Sequence, residues 1–237
     1  MLGCVYLILA LLLGREIAGN LLSCQKIKEK GITPFWVLFS AAYGCGVLLL
    51  TWAVYIAAWL LSVYGGSNTP LFGANLIVMT AAAVFLAYLG YRRREALKDC
   101  KKKLLGAITW IMYYVFHISD GVLYSGFSVF GDYAPHTAMM RSFSLGNNFP
   151  TQYPHFGGQD VKYHFMFQFL SGNLEYLGMP IDLAYNSVSI LSLWCFFMML
   201  YSLAKRFWGK MSAGVLAVCF MVFRSGTDFF QFANEHI

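Results

Sequence analysis

The chain has 237 residues, of which 59% are hydrophobic, 18% aromatic and only 12% charged. Soluble domains carry roughly 25% charged residues, so this composition excludes an ordinary water-soluble protein and indicates an integral membrane protein. The net charge of +6 does not indicate a nucleic-acid partner, because the basic residues form short clusters between apolar runs, as they do in cytoplasmic loops. We therefore expect the lipid bilayer as a partner and no nucleic acid.

Six apolar runs predict an all-α membrane fold with about six transmembrane helices. The first, residues 1–14, is short for a span and is expected to continue past Arg15 and Glu16. The other runs are residues 33–64, 71–90, 104–119, 183–204 and 211–223. The chain then divides into four spans over residues 1–119, a long loop over 120–180, and spans five and six over 181–237, which we expect to be incomplete.

The basic residues predict the topology. Three connectors, residues 14–33, 91–104 and 204–210, hold 14 of the 17 lysines and arginines. If these connectors are cytoplasmic, six spans alternate without a violation. The N-terminus and the 120–180 loop are then extracytoplasmic, in a multi-pass protein of the plasma membrane.

The 120–180 loop holds most of the candidate site residues. Asp132 follows Gly131 and precedes Pro135, which suits a helix N-cap followed by a first-turn proline. A short interfacial helix is predicted over residues 133–143, and a second helix, interfacial or re-entrant, over residues 166–170. Asp132 has two interpretations: a cap, or a carboxylate that takes a proton from an acceptor hydroxyl or binds a cation.

Other polar residues of the loop could contact a substrate. His136 lies one helical turn after Asp132, on the same face; its alternative role is a structural pair with that carboxylate. His164 could contact a phosphate or hydroxyl, or make only a structural hydrogen bond. The residues we expect to bind substrate are His136, Arg141, His155, Asp160, Tyr163 and His164.

An ordered series of residues in and after this loop resembles one family. The series is Asp132, Arg141, Ser142, Phe149, Pro150, Pro154, Gly158, Tyr163, His164, Tyr185 and Asn186. It is similar to the first large extracytoplasmic loop of the GT-C superfamily, which comprises multi-span glycosyltransferases that use polyprenyl-phosphate sugars. The resemblance covers residues 131–210 and is closest to uncharacterised bacterial and archaeal members.

The resemblance implies inverting transfer of a sugar from a polyprenyl-phosphate donor to an acceptor hydroxyl on the outer face of the membrane, and it implies roles for single residues. Asp132 matches the acid that acts as catalytic base or helps hold a divalent cation, and Arg141 would contact the lipid phosphate of the donor. Tyr133 and Ala134 stand where many relatives carry a second acid. Relatives also have eight or more spans, so the resemblance implies an N-terminal portion or a truncated member.

A different class of function remains open on the sequence. The chain could be a non-catalytic membrane protein, such as a scaffold or a subunit of a transporter or envelope complex. A proton or ion transporter buries acids within its spans, whereas here the spans are nearly free of acids. The acids lie mainly on the side predicted to be outside, which favours interfacial chemistry over conduction and leaves a scaffold possible.

Overall fold

The computed structural model describes residues 2–22, 27, 29, 31–32, 34–90, 102–126 and 130–223. The elements, in chain order, are α1 (Leu2–Leu21), α2 (Pro34–Val63), α3 (Pro70–Gly90), α4 (Lys102–Val115), β1 (Phe116–Ser119), β2 (Val122–Ser125), α5 (Phe130–Ser144), α6 (Met166–Tyr176), α7 (Ile181–Trp208) and α8 (Met211–Val222).

Four of these helices are long and apolar enough to cross a membrane. They are α1, α2, the first 19 residues of α3 and α7. Helix α1 runs through Arg15 and Glu16, as expected, and α2 agrees with the predicted 33–64 span to within one residue at each end. The protein is therefore a largely helical, membrane-embedded chain.

The predicted fourth span differs from the structure. Residues 104–119 read as one apolar helix, but α4 ends at Val115 and the chain turns back as an antiparallel hairpin, with Phe116 opposite Ser125. Asp120 and Gly121 form its turn with φ of 52° and 76°, the left-handed conformation that Asp-Gly supplies in two-residue hairpins. The all-α prediction is therefore wrong here. Helices α4 and α8 have 14 and 12 described residues, and six spans remain a prediction.

Helices α1 and α2 cross at positions where both helices carry small residues. A Cβ added to Gly14 would overlap the carbonyl of Ala42, and one added to Gly46 would overlap the carbonyl of Ala10. Each glycine lies four residues after an alanine, the small-xxx-small spacing that lets membrane helices approach closely. This crossing holds the first two spans together.

Residues 116–126 and 130–180, which we call the cap, cover one end of the helix bundle. The backbone N–H of Gly3, at the start of α1, donates to the carbonyl of Leu177 at 3.3 Å. The hydroxyl of Ser62, at the end of α2, donates to the carbonyl of Phe149 at 2.7 Å. The start of α1 and the end of α2 therefore contact the same segment. This agrees with two consecutive helices that run in opposite directions.

Helices α3 and α7 also meet the cap at their starts. The side-chain amides of Asn75 on α3 and Asn173 on α6 exchange two hydrogen bonds, of 2.6 and 3.1 Å, and both residues are buried. On α7, Asp182 accepts from the backbone N–H of Ile118 at 3.0 Å, and Asn186 donates to the carbonyl of Phe116. These two side chains satisfy the open edge of β1, so Asn186 has the partner that a polar residue in a membrane helix needs.

Aromatic rings fill the junction between the cap and α2. The ring of Tyr55 lies 5.2 to 5.9 Å from those of Phe149, Phe165 and Phe169, and Phe143 packs edge-on against Phe169 at 5.2 Å. Such ring pairs add roughly 0.5–1.5 kcal/mol each beyond the area they bury. The cluster fixes α5 and α6 against the bundle and so positions the polar residues that these helices carry.

Candidate functional site

Asp132 lies on α5, which the sequence predicts over residues 133–143 and the structure extends to Phe130–Ser144. Asp132 is therefore inside the first turn, and the N-cap prediction is wrong. Pro135 falls in the second turn instead of the first, and because it has no N–H it leaves the carbonyl of Gly131 without its helical donor. A carboxylate in the first turn is still favoured by the positive end of the helix dipole.

His136 is held by a buried amide. Its Nδ1 lies 2.7 Å from Nε2 of Gln168 on α6, and Gln168 is only 4% exposed. The contact crosses the α5–α6 interface close to Gly172, where an added Cβ would overlap the carbonyl oxygen of Met140. The close approach of the two backbones therefore determines where the imidazole lies.

The orientation of the Gln168 amide determines which ring nitrogen of His136 carries a proton. With its NH₂ group toward the ring, Nδ1 accepts and the proton lies on Nε2. In that orientation the amide Oε1 is buried with no partner among the described residues. With the amide rotated by half a turn, Oε1 accepts from Nδ1–H instead. In both cases Nε2 is the ring nitrogen left for a substrate.

Asp132 and His136 share one face of α5 but do not pair with each other. The carboxylate of Asp132 is exposed, and it has no hydrogen bond or ion pair within the part of the chain that the structure describes. Side chains at i and i+4 have Cβ atoms about 5–6 Å apart, so a small molecule can contact both. The described partner of His136 is Gln168 and not the neighbouring carboxylate.

Arg141 lies on the other side of the same helix. It is nine residues after Asp132, which at about 100° and 1.5 Å per residue puts it half a turn out of phase and about 14 Å along the axis. Its Nε lies 3.3 Å from Oε1 of Glu175, and the other Glu175 oxygen accepts from the hydroxyl of Ser144 at 2.7 Å. The structure therefore does not bring Arg141 to Asp132.

The remaining predicted residues lie on the exposed loop between α5 and α6. Asp160 forms an isolated backbone bridge with Gln152, and its side chain has no described partner. His155 packs against the ring of Tyr153. The ring of His164 lies against that of Tyr163 in a tilted arrangement, with ring centroids 3.8 Å apart, and both residues are exposed. No described contact links these four residues to Asp132.

A cleft opens between the hairpin and α5, on the Arg141 side. It has a volume of about 390 Å³ and is lined by Phe116, Leu123, Ser125, Tyr133, Ala134, Thr137, Ala138 and Arg141. Burial, with the neighbouring Tyr185 phenol, raises the pKa of Tyr133 above its ordinary value of 10.0, so this phenol is neutral at physiological pH. A larger groove of about 760 Å³ along α3 is almost entirely apolar and offers no reactive group.

The donor set does not make a metal site. Among the described residues, no three His, Cys, Asp or Glu side chains come together as ligands. Asp132 is a single carboxylate, and divalent cations bound by proteins take several oxygen ligands. A cation at Asp132 would need ligands beyond this carboxylate, for example from a substrate.

No protein-family model, no curated protein and no solved structure matches this chain. The function therefore has to be argued from the geometry of the cap.

Two residues that contact the predicted site residues were not themselves predicted from the sequence. Gln168 contacts His136, and Glu175 contacts Arg141. Gln168 lies in the apolar run of α6, and a lone polar residue in such a run is a signal for a buried partner. Glu175 lies near the end of the same helix and gives no comparable signal, because an acid at a helix end is ordinarily exposed.

Proposed function

We propose that the protein transfers a sugar from a polyprenyl-phosphate donor to an acceptor hydroxyl at the outer face of the plasma membrane. One observation carries this proposal: the exposed carboxylate of Asp132, which has no partner among the described residues, lies one helical turn from His136, whose ring is fixed by the buried Gln168. Both residues lie on the cap, at one end of the helix bundle, where a lipid-linked donor and a water-soluble acceptor could both reach them. The sequence resemblance to GT-C glycosyltransferases favours the same reaction.

The chemistry needs a base and a group that stabilises the leaving phosphate. The carboxylate of Asp132 accepts the proton of the acceptor hydroxyl while that oxygen bonds to C1 of the sugar. The bond between C1 and the phosphate oxygen breaks, and its electron pair leaves with the lipid phosphate. Attack from the face opposite the leaving group inverts the configuration at C1.

His136 is suited to the leaving group. With Gln168 donating to Nδ1, the Nε2–H of His136 points a donor at the phosphate oxygen on which negative charge grows. A ring that is already fixed does not have to be ordered during the reaction, which is the advantage of preorganised donors. Arg141 cannot serve this centre from its present position, because it lies about 14 Å further along the helix and on the opposite side.

The test is sugar transfer by the purified protein in lipid vesicles, with a labelled polyprenyl-phosphate sugar and a membrane extract as the source of acceptor. Asp132→Asn should lower the rate about 10²–10⁴-fold, the usual value of general-base assistance, because an amide cannot take the proton. His136→Phe should also reduce transfer, since the phenyl ring keeps the volume without the donor.

The matched control is Asp120→Asn. Asp120 is also exposed but lies in the hairpin turn with φ of 52°, a conformation that Asn adopts readily. This variant should transfer at the wild-type rate. Wild-type activity in Asp132→Asn would contradict the assignment of the base. No transfer by the wild-type protein with any polyprenyl-phosphate sugar would favour the alternative of a non-catalytic membrane scaffold.

A further inference from the structure

The cleft beside Arg141 is separate from the Asp132–His136 pair. Its helical wall consists of residues at positions 133, 134, 137, 138 and 141, which form one continuous face of α5. Asp132 and His136 lie on the opposite face, by the 100° rotation per residue of an α-helix. A ligand in the cleft is therefore a different molecule from a sugar held at Asp132.

Among the described residues that line the cleft, Arg141 is the only charged one. Its guanidinium is anchored through Nε by Glu175, whose side chain is 15% exposed, while the arginine side chain is 52% exposed. Glu175 is itself fixed by the hydroxyl of Ser144 and does not line the cleft. The terminal nitrogens of Arg141 have no described partner and can form the paired hydrogen bonds that arginine makes to phosphate.

The walls of the cleft are apolar, and so is the surface beside it. Phe116, Leu123 and two alanines of α5 line it, while hydroxyl donors come from Ser125 and Thr137. On the hairpin, Val122, Leu123 and Tyr124 are 54, 38 and 46% exposed. In a membrane-embedded chain, exposed aliphatic and tyrosine side chains at the end of a helix bundle are typical of the headgroup region of the bilayer.

We propose that this cleft binds the phosphate headgroup of an anionic phospholipid, with Arg141 as the cation and the apolar walls alongside the start of the acyl chains. Glu175 is a positioning residue, because it holds one edge of the guanidinium and leaves the other edge free. The site does not depend on sugar transfer, and its failure would leave the role of Asp132 untouched.

The test is native mass spectrometry of the purified protein released from nanodiscs that contain equal amounts of phosphatidylglycerol and phosphatidylcholine. The wild-type protein should retain phosphatidylglycerol preferentially. Arg141→Gln should lower that retention about 10- to 100-fold, as expected for loss of hydrogen bonds to a charged group. Lys162→Gln is the matched control, because Lys162 is an exposed cation of the cap outside the cleft, and it should retain the lipid normally.

A second variant removes the space and keeps the charge. Ala138→Phe fills the cleft and leaves both Arg141 and Glu175 in the chain, and it should also abolish the preference. It decides the test if Arg141→Gln does not fold. Equal retention of both lipids by the wild type, or unchanged retention in Ala138→Phe, would overturn the proposal. A competition arm with polyprenyl phosphate separates the sources of the phosphate. If the cleft retains that lipid and not phosphatidylglycerol, the phospholipid assignment is wrong.

Discussion

Gly172 is the residue at which a single added methyl group should separate the two helices of the cap. A Cβ at this position would overlap the carbonyl oxygen of Met140 and lie 3.1 Å from its carbonyl carbon. The obstructing atoms belong to the backbone of α5, so no side chain can move aside, and the helices must shift apart. Overpacking of this kind typically destabilises a protein by about 1–3 kcal/mol, and we expect Gly172→Ala to lie near the upper end.

The shift also reaches the candidate site. The His136–Gln168 contact spans the same interface, one turn of α6 before Gly172, so Gly172→Ala should weaken sugar transfer as well as folding. For a chain of this size, about 3 kcal/mol corresponds to a fall in melting temperature of about 6–12 °C. The measurement is thermal unfolding in detergent, monitored by intrinsic fluorescence and by loss of monodisperse protein.

The control is Gly44→Ala. Gly44 is also a helical glycine, but an added Cβ meets no described atom within 4 Å. Its replacement should therefore leave the melting temperature unchanged or raise it slightly, because alanine is the better helix former. Equal melting temperatures for Gly172→Ala and the wild type would refute the close α5–α6 approach and, with it, the position inferred for His136.

Two further predictions concern the bundle. Asn75→Leu should destabilise the protein by about 1–3 kcal/mol, because it removes both hydrogen bonds between the buried amides of Asn75 and Asn173. The double variant Asn75→Leu/Asn173→Leu should recover part of this loss, and additive effects in a thermal double-mutant cycle would contradict the reciprocal bonds. In a cysteine-free background, Gly157→Cys in the cap and Lys210→Cys between α7 and α8 should react from opposite sides with a membrane-impermeant thiol reagent in intact cells. Labelling of both from one side would refute the topology.

The sequence predicted the long helices well, because uncharged runs of about 20 or more residues have few other stable conformations in a membrane. It also predicted the helix that carries Asp132, since the Asn147-Asn148-Phe149-Pro150 sequence ends it close to where α5 ends at Ser144. The predicted first residue of this helix, 133, lies three residues after the observed one, Phe130. The reason is that the prediction places Pro135 in the first turn, whereas it lies in the second. Local signals fix the presence of an element more firmly than its first residue.

The hairpin was missed although its turn was visible in the sequence. Residues 116–119 follow directly on an apolar run and so predict the end of a span. The Asp120-Gly121 pair, a strong hairpin signal, then stands at the beginning of the predicted loop. The edge of β1 is stabilised by Asp182 and Asn186, which are more than 60 residues further along the chain. No local pattern reveals that support.

The site geometry depends even more on tertiary structure. Spacing alone gave the shared face of Asp132 and His136, because i and i+4 are neighbours on any α-helix. The same spacing rule places Arg141 half a turn away from Asp132. A helix over residues 133–143 is therefore incompatible with a role for Arg141 at the same substrate as Asp132. The partners Gln168 and Glu175 come from a second helix, and only the packing of α5 on α6 identifies them.

The most direct test of the Asp132–His136 site is to locate the sugar of the donor on the protein. A polyprenyl-phosphate sugar that carries a diazirine on the sugar ring would be photolysed with the reconstituted protein, and the labelled peptides would be mapped by mass spectrometry. Label should appear on the first two turns of α5, around Asp132 and His136, and unlabelled donor should suppress it. Label confined to the cleft beside Arg141, or to the lipid-facing surface of α3, would contradict the proposed site.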